Sequence, residues 1–427
     1  MIAILSRHPR ARTLLLAACG LFAAGGPAFG ATGHLAGPAW RLVLVDGCHE
    51  GVRPERIAAD GSAWRGVAAV DGPPTTHTAA TADVVGWGRC PPWPLGPMVL
   101  LADGGVIAGR IAAADATAVV VVSPTLGRLT LPAASVRGLR VGTAVGPAPP
   151  RVAMGGDGSL LRLANGDRLL GRRLAWHDDA VAVETRFGVA TIPLDVLRAV
   201  DLADGAQPAA RGPAARPSPW LALADGTRIA IDELRPDAAG DDGIDRSRIV
   251  LRGGGPGARV TARCATEAIV AVAVDGGRTT VLAALEPVDA EAAHVFGATW
   301  PVTSGCTVAG DWPDLRGDTS FTSLGLHAPA RVRYRLPRPA ARFEATVGID
   351  GSAGPGQGSV VVKVEIAAGA GGRREVFASP VLRGGDPPLA IRAELGAAEE
   401  IELVVEPAAA GAVLDRTLWL DPRVIHR

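Results

Sequence analysis

The segment LGLHAPARVRYRL, residues 324–336, decides how the C-terminal part of the chain folds. Past Pro329 it alternates strictly, with Arg331, Arg333 and Arg335 set against Val332, Tyr334 and Leu336. A period of two sends one set to each face of a β-strand, so this is a strand with one buried and one wetted side. His327 stands at the mouth of that strand. It reads either as a turn histidine bonded to backbone or as a ligand contact on a rigid scaffold. A catalytic histidine would need a carboxylate or nucleophile partner, and none is evident from the sequence.

The same alternation recurs on both sides. Strands are expected at 331–336, 342–349, 359–366, 375–379, 389–394, 401–406 and 417–420, with an opening strand near Thr322. About eight short antiparallel strands in about 140 residues describe a jelly-roll β-sandwich, expected over 286–427.

Upstream the texture changes to a repeat. VLLADGGVIAGRI starts at Val99, SLLRLANGDRLLGRRL at Ser159 and WLALADGTRIAIDEL at Trp220. Each is a strand, an Asp-Gly or Asn-Gly turn, and a second strand, a strong hairpin signal because the tight turn needs positive φ. The turn glycines Gly104, Gly166 and Gly226 lie 62 and 60 residues apart, and a degenerate copy carries Gly47, 57 residues before the first of them. Four β-repeats are therefore expected, at 36–92, 97–142, 158–203 and 218–275. Their size fits a small, strongly bent barrel or half-barrel, and the shared element resembles Sm- or SH3-like barrels at the level of fold alone. Pro/Gly/Ala-rich linkers at 142–158 and 205–219 suggest stacked modules or beads. The fold class is thus all-β: tandem barrel-like repeats followed by a sandwich.

Composition excludes several functions. With 43 basic and 43 acidic residues the net charge is zero, and no basic patch interleaved with aromatics marks a nucleic-acid surface. The N-terminus reads as an export signal: Arg7, Arg10 and Arg12, then an apolar core from Leu14 to Ala24, then small residues before a cut after Gly30. A lipid anchor at Cys19 is the rival reading of residues 16–19. Either way the protein is expected outside the cytoplasm, as a periplasmic, cell-surface or secreted chain with no membrane-spanning segment after cleavage. Four cysteines remain after the cut: Cys48, Cys90, Cys264 and Cys306. An even number in an oxidising compartment suggests two disulfides, locally paired as 48–90 and 264–306, with buried free thiols as the alternative. His177 with Asp178 and Asp179 reads as a solvated hairpin turn, and residues 237–248 lack full calcium-loop spacing. No nucleophile elbow, zinc-protease, phosphate-loop or dinucleotide motif is present, so an enzyme is not expected.

The blocks GLHAPARVRYRL, FEATVGIDGSAGPGQGSVVVKVEI, SPVLRGGDPPLAI and the closing Asp415-x-x-x-Trp419-x-Asp421 resemble the NPCBM/NEW2 domain, also called carbohydrate-binding module family 51. The resemblance covers roughly 286–427, in several blocks in the right order. It implies a galactose-binding-like sandwich, sugar binding, and a structural calcium ion nearby. Two departures stand out. The acidic loop usual near the end is here the alanine-rich EPAAAGAVLDRTLW, and Trp312 in AGDWPDLRG replaces a plainer run.

Sugar binding needs an aromatic under the apolar face of the ring and planar polar groups for its hydroxyls. The candidates are Trp312, the best-placed loop aromatic, with Trp419 as cleft wall or core. His327, Arg383, Asp386 and Asp415 are the polar candidates, each also readable as a turn or loop residue. Asp350, with backbone carbonyls, is the candidate calcium ligand. The expected partner is a galactose-type glycan or a cell-surface polysaccharide, with other envelope proteins as a second class. The competing reading is a structural or protein-interaction module that has lost its sugar site.

Overall fold

Runs of valine, leucine and isoleucine punctuated by glycine turns leave the backbone one economical way to satisfy its polar groups, an antiparallel ladder. The computed structural model describes residues 41–58, 64–68, 75–142, 158–202, 218–237, 244–252, 260–295, 297–368, 372–409 and 411–426. Within these the chain is all-β, interrupted only by single-turn 3-10 helices. The expected export signal and Cys19 lie outside the described residues, as do most of both linkers.

Each repeat opens with the hairpin read from its turn. Gly104, Gly166 and Gly226 have φ of +92°, +90° and +89°, the left-handed region that glycine enters without strain. In the fourth repeat, Ser218–Leu223 lies between Arg228–Pro236 and Ile269–Asp275, and Arg228–Pro236 pairs onward with Arg246–Leu251 and then Val260–Ala265. The other copies use the same order: fifth strand, first, second, third, fourth. Fourth and fifth strands do not pair among the described residues, so each copy is an open, bent half-barrel and not a closed barrel.

The copies are not beads. The fifth strands pair out of chain order, Val84–Gly88 with Ile269–Asp275 and Val136–Arg140 with Leu197–Asp201. The first repeat is thereby joined to the fourth, and the second to the third. Leu42, Trp64, Val99, Leu139, Leu161, Val200, Leu221 and Val272 share one core. An open half-barrel has unpaired edges and an uncovered apolar face, and neighbouring copies supply what one copy cannot.

The sandwich follows without a linker. Gly276 and Gly277 turn the chain at positive φ, and Thr279–Val281 already pairs with the last strand, Arg416–His426. Two long strands, Ala330–Ile349 and Leu389–Pro407, run through both sheets and pair along their length. Both bend where the register shifts between Arg335 and Arg342, at Pro337 and Pro339 on one strand and Gly396 on the other. One sheet adds Asp289–Glu291, Ser359–Ala368 and Gly372–Ala378; the other adds Arg416–His426, Ser323–His327 and Thr303–Ser304. The alternation at 331–336 is realised as read. Val332, Tyr334 and Leu336 are buried in the core, while Arg331, Arg333 and Arg335 pair with Glu402, Asp289 and Glu400 at 3.3, 3.2 and 3.4 Å.

The repeats and the sandwich meet at a dense seam. Trp93 stacks on Trp312 at 4.6 Å and 25°, and the Arg228 guanidinium sits 3.5 Å from the centroid of Trp93. Arg228, only 2% exposed, donates to Thr319 Oγ1 at 2.8 Å and to the carbonyl of Pro91. Trp93 Nε1 donates to Pro313 O at 2.8 Å. Ile425 of the sandwich packs with Val45 and Val85 of the first repeat.

Candidate functional site

The Ser323–His327 strand pairs with Arg416–His426 so that His327 faces Arg416 directly. Directly paired residues point to the same side of a sheet. The Trp300 ring lies over both, stacked on His327 at 5.2 Å and 21°, with the Arg416 guanidinium 4.9 Å from its centroid. Trp300 itself is partly exposed, at the end of the short hairpin strand Ala298–Trp300.

His327 is 3% exposed, and its Nδ1 lies 2.8 Å from the carbonyl oxygen of Ala328. That contact requires the proton on Nδ1, which leaves Nε2 of the neutral ring as an acceptor. Burial pushes the His327 pKa down from its ordinary value; the Ala328 carbonyl opposes this and the Arg416 charge adds to it. The ring is therefore neutral at pH 7.

Three carboxylates surround this pair. Asp415 is buried, accepts from Ser359 N at 2.6 Å through Oδ1, and leaves Oδ2 without a partner. Burial raises its pKa, against the Ser359 N–H and His327. Asp350 accepts from Ser352 N at 2.8 Å and likewise has a buried Oδ2 with no hydrogen bond. Asp311 is raised by its own burial and by the charge of Asp350. Arg416 donates from Nη1 to Ser352 Oγ at 3.1 Å and tempers the set. Among the described residues no three His, Cys, Asp or Glu side chains gather as a metal-ligand set. Acidic side chains alone therefore do not build the six to eight oxygen ligands typical of calcium, and Asp350 offers a single free oxygen.

The structure thus brings together His327, Asp350 and Asp415 from the sequence candidates. Arg383 and Asp386 form a separate turn, in which Asp386 Oδ2 accepts from Arg383 N at 2.8 Å. Gly384 of that turn bonds backbone to backbone with Gln357 and Gly356, so the block RGGDPP fixes the loop beside the site. Among the described residues neither side chain bonds to the His327 group.

Two candidates take packing roles. Trp312, partly exposed, is stacked on Trp93 and packed against Met98, Leu100 and Val106 of the second repeat. Trp419 takes the core alternative of its reading: it is 0% exposed, tilted against Phe343, with its Nε1 on Thr417 Oγ1 at 3.2 Å. Its register partner is Val347 on the inner side of the sandwich, which leaves it no route to a ligand. The cysteines also differ from the disulfide expectation, for all four are free thiols. Cys264 lies in the repeat core and Cys306 in the sandwich, while Cys90 is at the seam, where burial pushes its thiol up to about 12. Equal spacing along the chain carried no geometric information.

Sequence reading missed Trp300, Arg416 and Asp311. Trp300 in GATWPVTSG looks no different from Trp312, and Arg416 gains meaning only as the cross-strand partner of His327.

No helix among the described residues is long and apolar enough to cross a membrane. No curated protein matches the chain. Among solved structures, a CBM51 module of the Clostridium perfringens GH95 protein, solved with methyl-galactose, is 19% identical at a TM-score of 0.30, covering 34% of this chain and 99% of that one. The CBM51-2 and INT domains of Clostridium perfringens ZmpB are also 19% identical at 0.31, with 45% of this chain and 40% of that one covered. The tandem CBM51 modules of a Streptococcus pneumoniae family 98 glycoside hydrolase are 11% identical at 0.30, covering 77% and 88%. Against family profiles the match is confined to the sandwich: residues 279–425 of this chain carry an NPCBM/NEW2 domain.

Proposed function

We propose that the sandwich binds a glycan at the end marked by Trp300, His327 and Arg416, and that the chain is an exported, non-catalytic binding protein. The observation that carries this reading is the Trp300 indole lying over the His327–Arg416 cross-strand pair. Trp300 is partly exposed, and its indole offers an apolar face to a sugar ring. His327, 3% exposed beneath the indole, positions the indole, and the partly exposed Arg416 donates to a hydroxyl. Galactose-type glycans are the first to test. Calcium enters this reading only through Asp350, and no step of recognition passes through it. No covalent step is needed.

A second reading has its own observation. Asp350 and Asp415 spend one oxygen each on capping backbone N–H groups, and the loop before Asp415 is alanine-rich. That pattern suits a structural or protein-binding sandwich whose sugar site has decayed.

The test is a glycan-array screen of the full chain, with Trp300→Ala and His327→Gln beside it and an EDTA arm. Saturable binding that both variants lose supports the site. Binding lost in EDTA supports a calcium ion, and a folded chain that binds no glycan favours the second reading.

A further inference from the structure

The seam between the repeats and the sandwich holds a second recess of about 370 Å³. The Asp103–Gly104 turn of the second repeat forms one lip, and Trp220 of the fourth repeat forms a wall. Phe321, Ser323, Tyr334 and Glu286 of the sandwich close the other side. Trp220 and Phe321 are a tilted aromatic pair, with centroids 6.4 Å apart at 57°.

Ser323 lines the recess fully buried, and its Oγ has no hydrogen-bond partner. Leaving a buried hydroxyl unpaired costs roughly 1–3 kcal/mol, a cost that a ligand hydroxyl at this wall would relieve. Tyr334, the only tyrosine of the chain, also lines the recess and is 1% exposed. Burial and the nearby Glu286 charge both hold the Tyr334 phenol in its protonated, donating form.

The lining also says what kind of ligand fits. Asp103 and Glu286 supply carboxylates, and among the described residues no Arg, Lys or His lines the recess. An anionic ligand is therefore disfavoured. Aromatic rings, acceptor carboxylates and hydroxyl donors together match an uncharged polyhydroxylated ring, and the volume falls in the lower part of the range of small-molecule sites.

We infer that the seam between repeats and sandwich is a second carbohydrate site, taking one neutral sugar residue between Trp220, Phe321, Tyr334, Ser323, Glu286 and the Asp103 turn. It gives the repeats a part in recognition, because neither part of the chain makes the site alone. It is also tied to the first site. Ser323 and His327 are the two ends of one strand, so the sites lie about 13 Å apart along it. The proposal rests on the geometry of the seam, with the carbohydrate reading of the domain only setting the choice of probes.

The experiment is saturation-transfer NMR on the full chain with galactose, glucose, mannose and N-acetylglucosamine as probes, backed by tryptophan fluorescence titration. Trp300→Ala removes the loop-end site from the background. In that background, saturable binding of at least one sugar is expected to persist. It is expected to weaken at least tenfold on Tyr334→Phe and on Glu286→Gln. Tyr334→Phe keeps the ring and its packing, so an unchanged Tm separates lost binding from lost fold. If Trp300→Ala abolishes all sugar binding, the loop-end reading is upheld and this one is overturned. Binding that survives Trp300→Ala and is indifferent to both seam variants overturns it as well, as does response only to a cation such as tetramethylammonium.

Discussion

Trp93 and Trp312 stack across the seam at 4.6 Å, one from the segment that follows the first repeat and one from a sandwich loop. Trp312 is thus one of the residues that dock the sandwich onto the repeats. Trp312→Ala is expected to destabilise the chain by about 2–3 kcal/mol, somewhat less than truncation of a fully buried tryptophan. A double-mutant cycle with Trp93→Ala should return a coupling of about 0.5–1.5 kcal/mol. Denaturant unfolding of the four proteins measures both. Zero coupling would mean that the stack contributes nothing beyond its two separate burials.

Trp419→Ala should be more damaging, about 3–5 kcal/mol, because it opens a cavity beside Phe343 in the sandwich core. Any loss of glycan binding in this variant should track the unfolded fraction and recover when the sample is cooled below its lowered Tm. A folded Trp419→Ala protein that binds nothing would return Trp419 to the ligand site.

Acidification should destabilise the fold. His327 and His426 are both held neutral by burial, with pKa below the ordinary 6.5. Below 6.5 the unfolded chain takes up protons that the folded chain refuses, so stability is full above that value and falls as pH drops toward the folded pKa. Calorimetry at pH 7.5 and 5.5 should show Tm lower by a few degrees at the acid end. His426→Gln should reduce the difference.

The thiols make a simple check. Cys48 is exposed, whereas Cys264 is buried with its pKa pushed up to about 12 by burial, and Cys90 is pushed as far. Native protein should react quickly with a thiol reagent at Cys48 and slowly at the buried thiols, and denatured protein at Cys48, Cys90, Cys264 and Cys306 alike. Finding no reactive thiol after denaturation without reductant would establish disulfides instead.

The turn glycines should not be equivalent. At Gly166 an added side chain meets nothing within 4 Å, so alanine costs only the left-handed backbone, about 1–2 kcal/mol. At Gly226 it would also lie 2.8 Å from the Pro92 carbonyl oxygen and from Pro94, and should cost more than Gly166→Ala by at least about 1 kcal/mol. Equal losses would show that the fourth repeat does not press on the Pro-rich segment.

What the sequence determined by itself was local. Period-two alternation at 331–336 defined a strand and its buried face, and Asp-Gly or Asn-Gly pairs marked the repeat hairpins, because both depend on interactions between near neighbours in the chain. The domain family was legible for the same reason, as ordered blocks of strand and turn. Tertiary structure alone decided which edges meet: the first repeat with the fourth, His327 with Arg416, and Trp312 with Trp93. A loop tryptophan lying over a cross-strand pair and one stacked at a seam have the same sequence signature, so Trp300 was overlooked and the contact of Trp312 with Trp93 was not foreseen. Burial and partner choice depend on how distant surfaces fit together, and no periodicity along the chain encodes that fit.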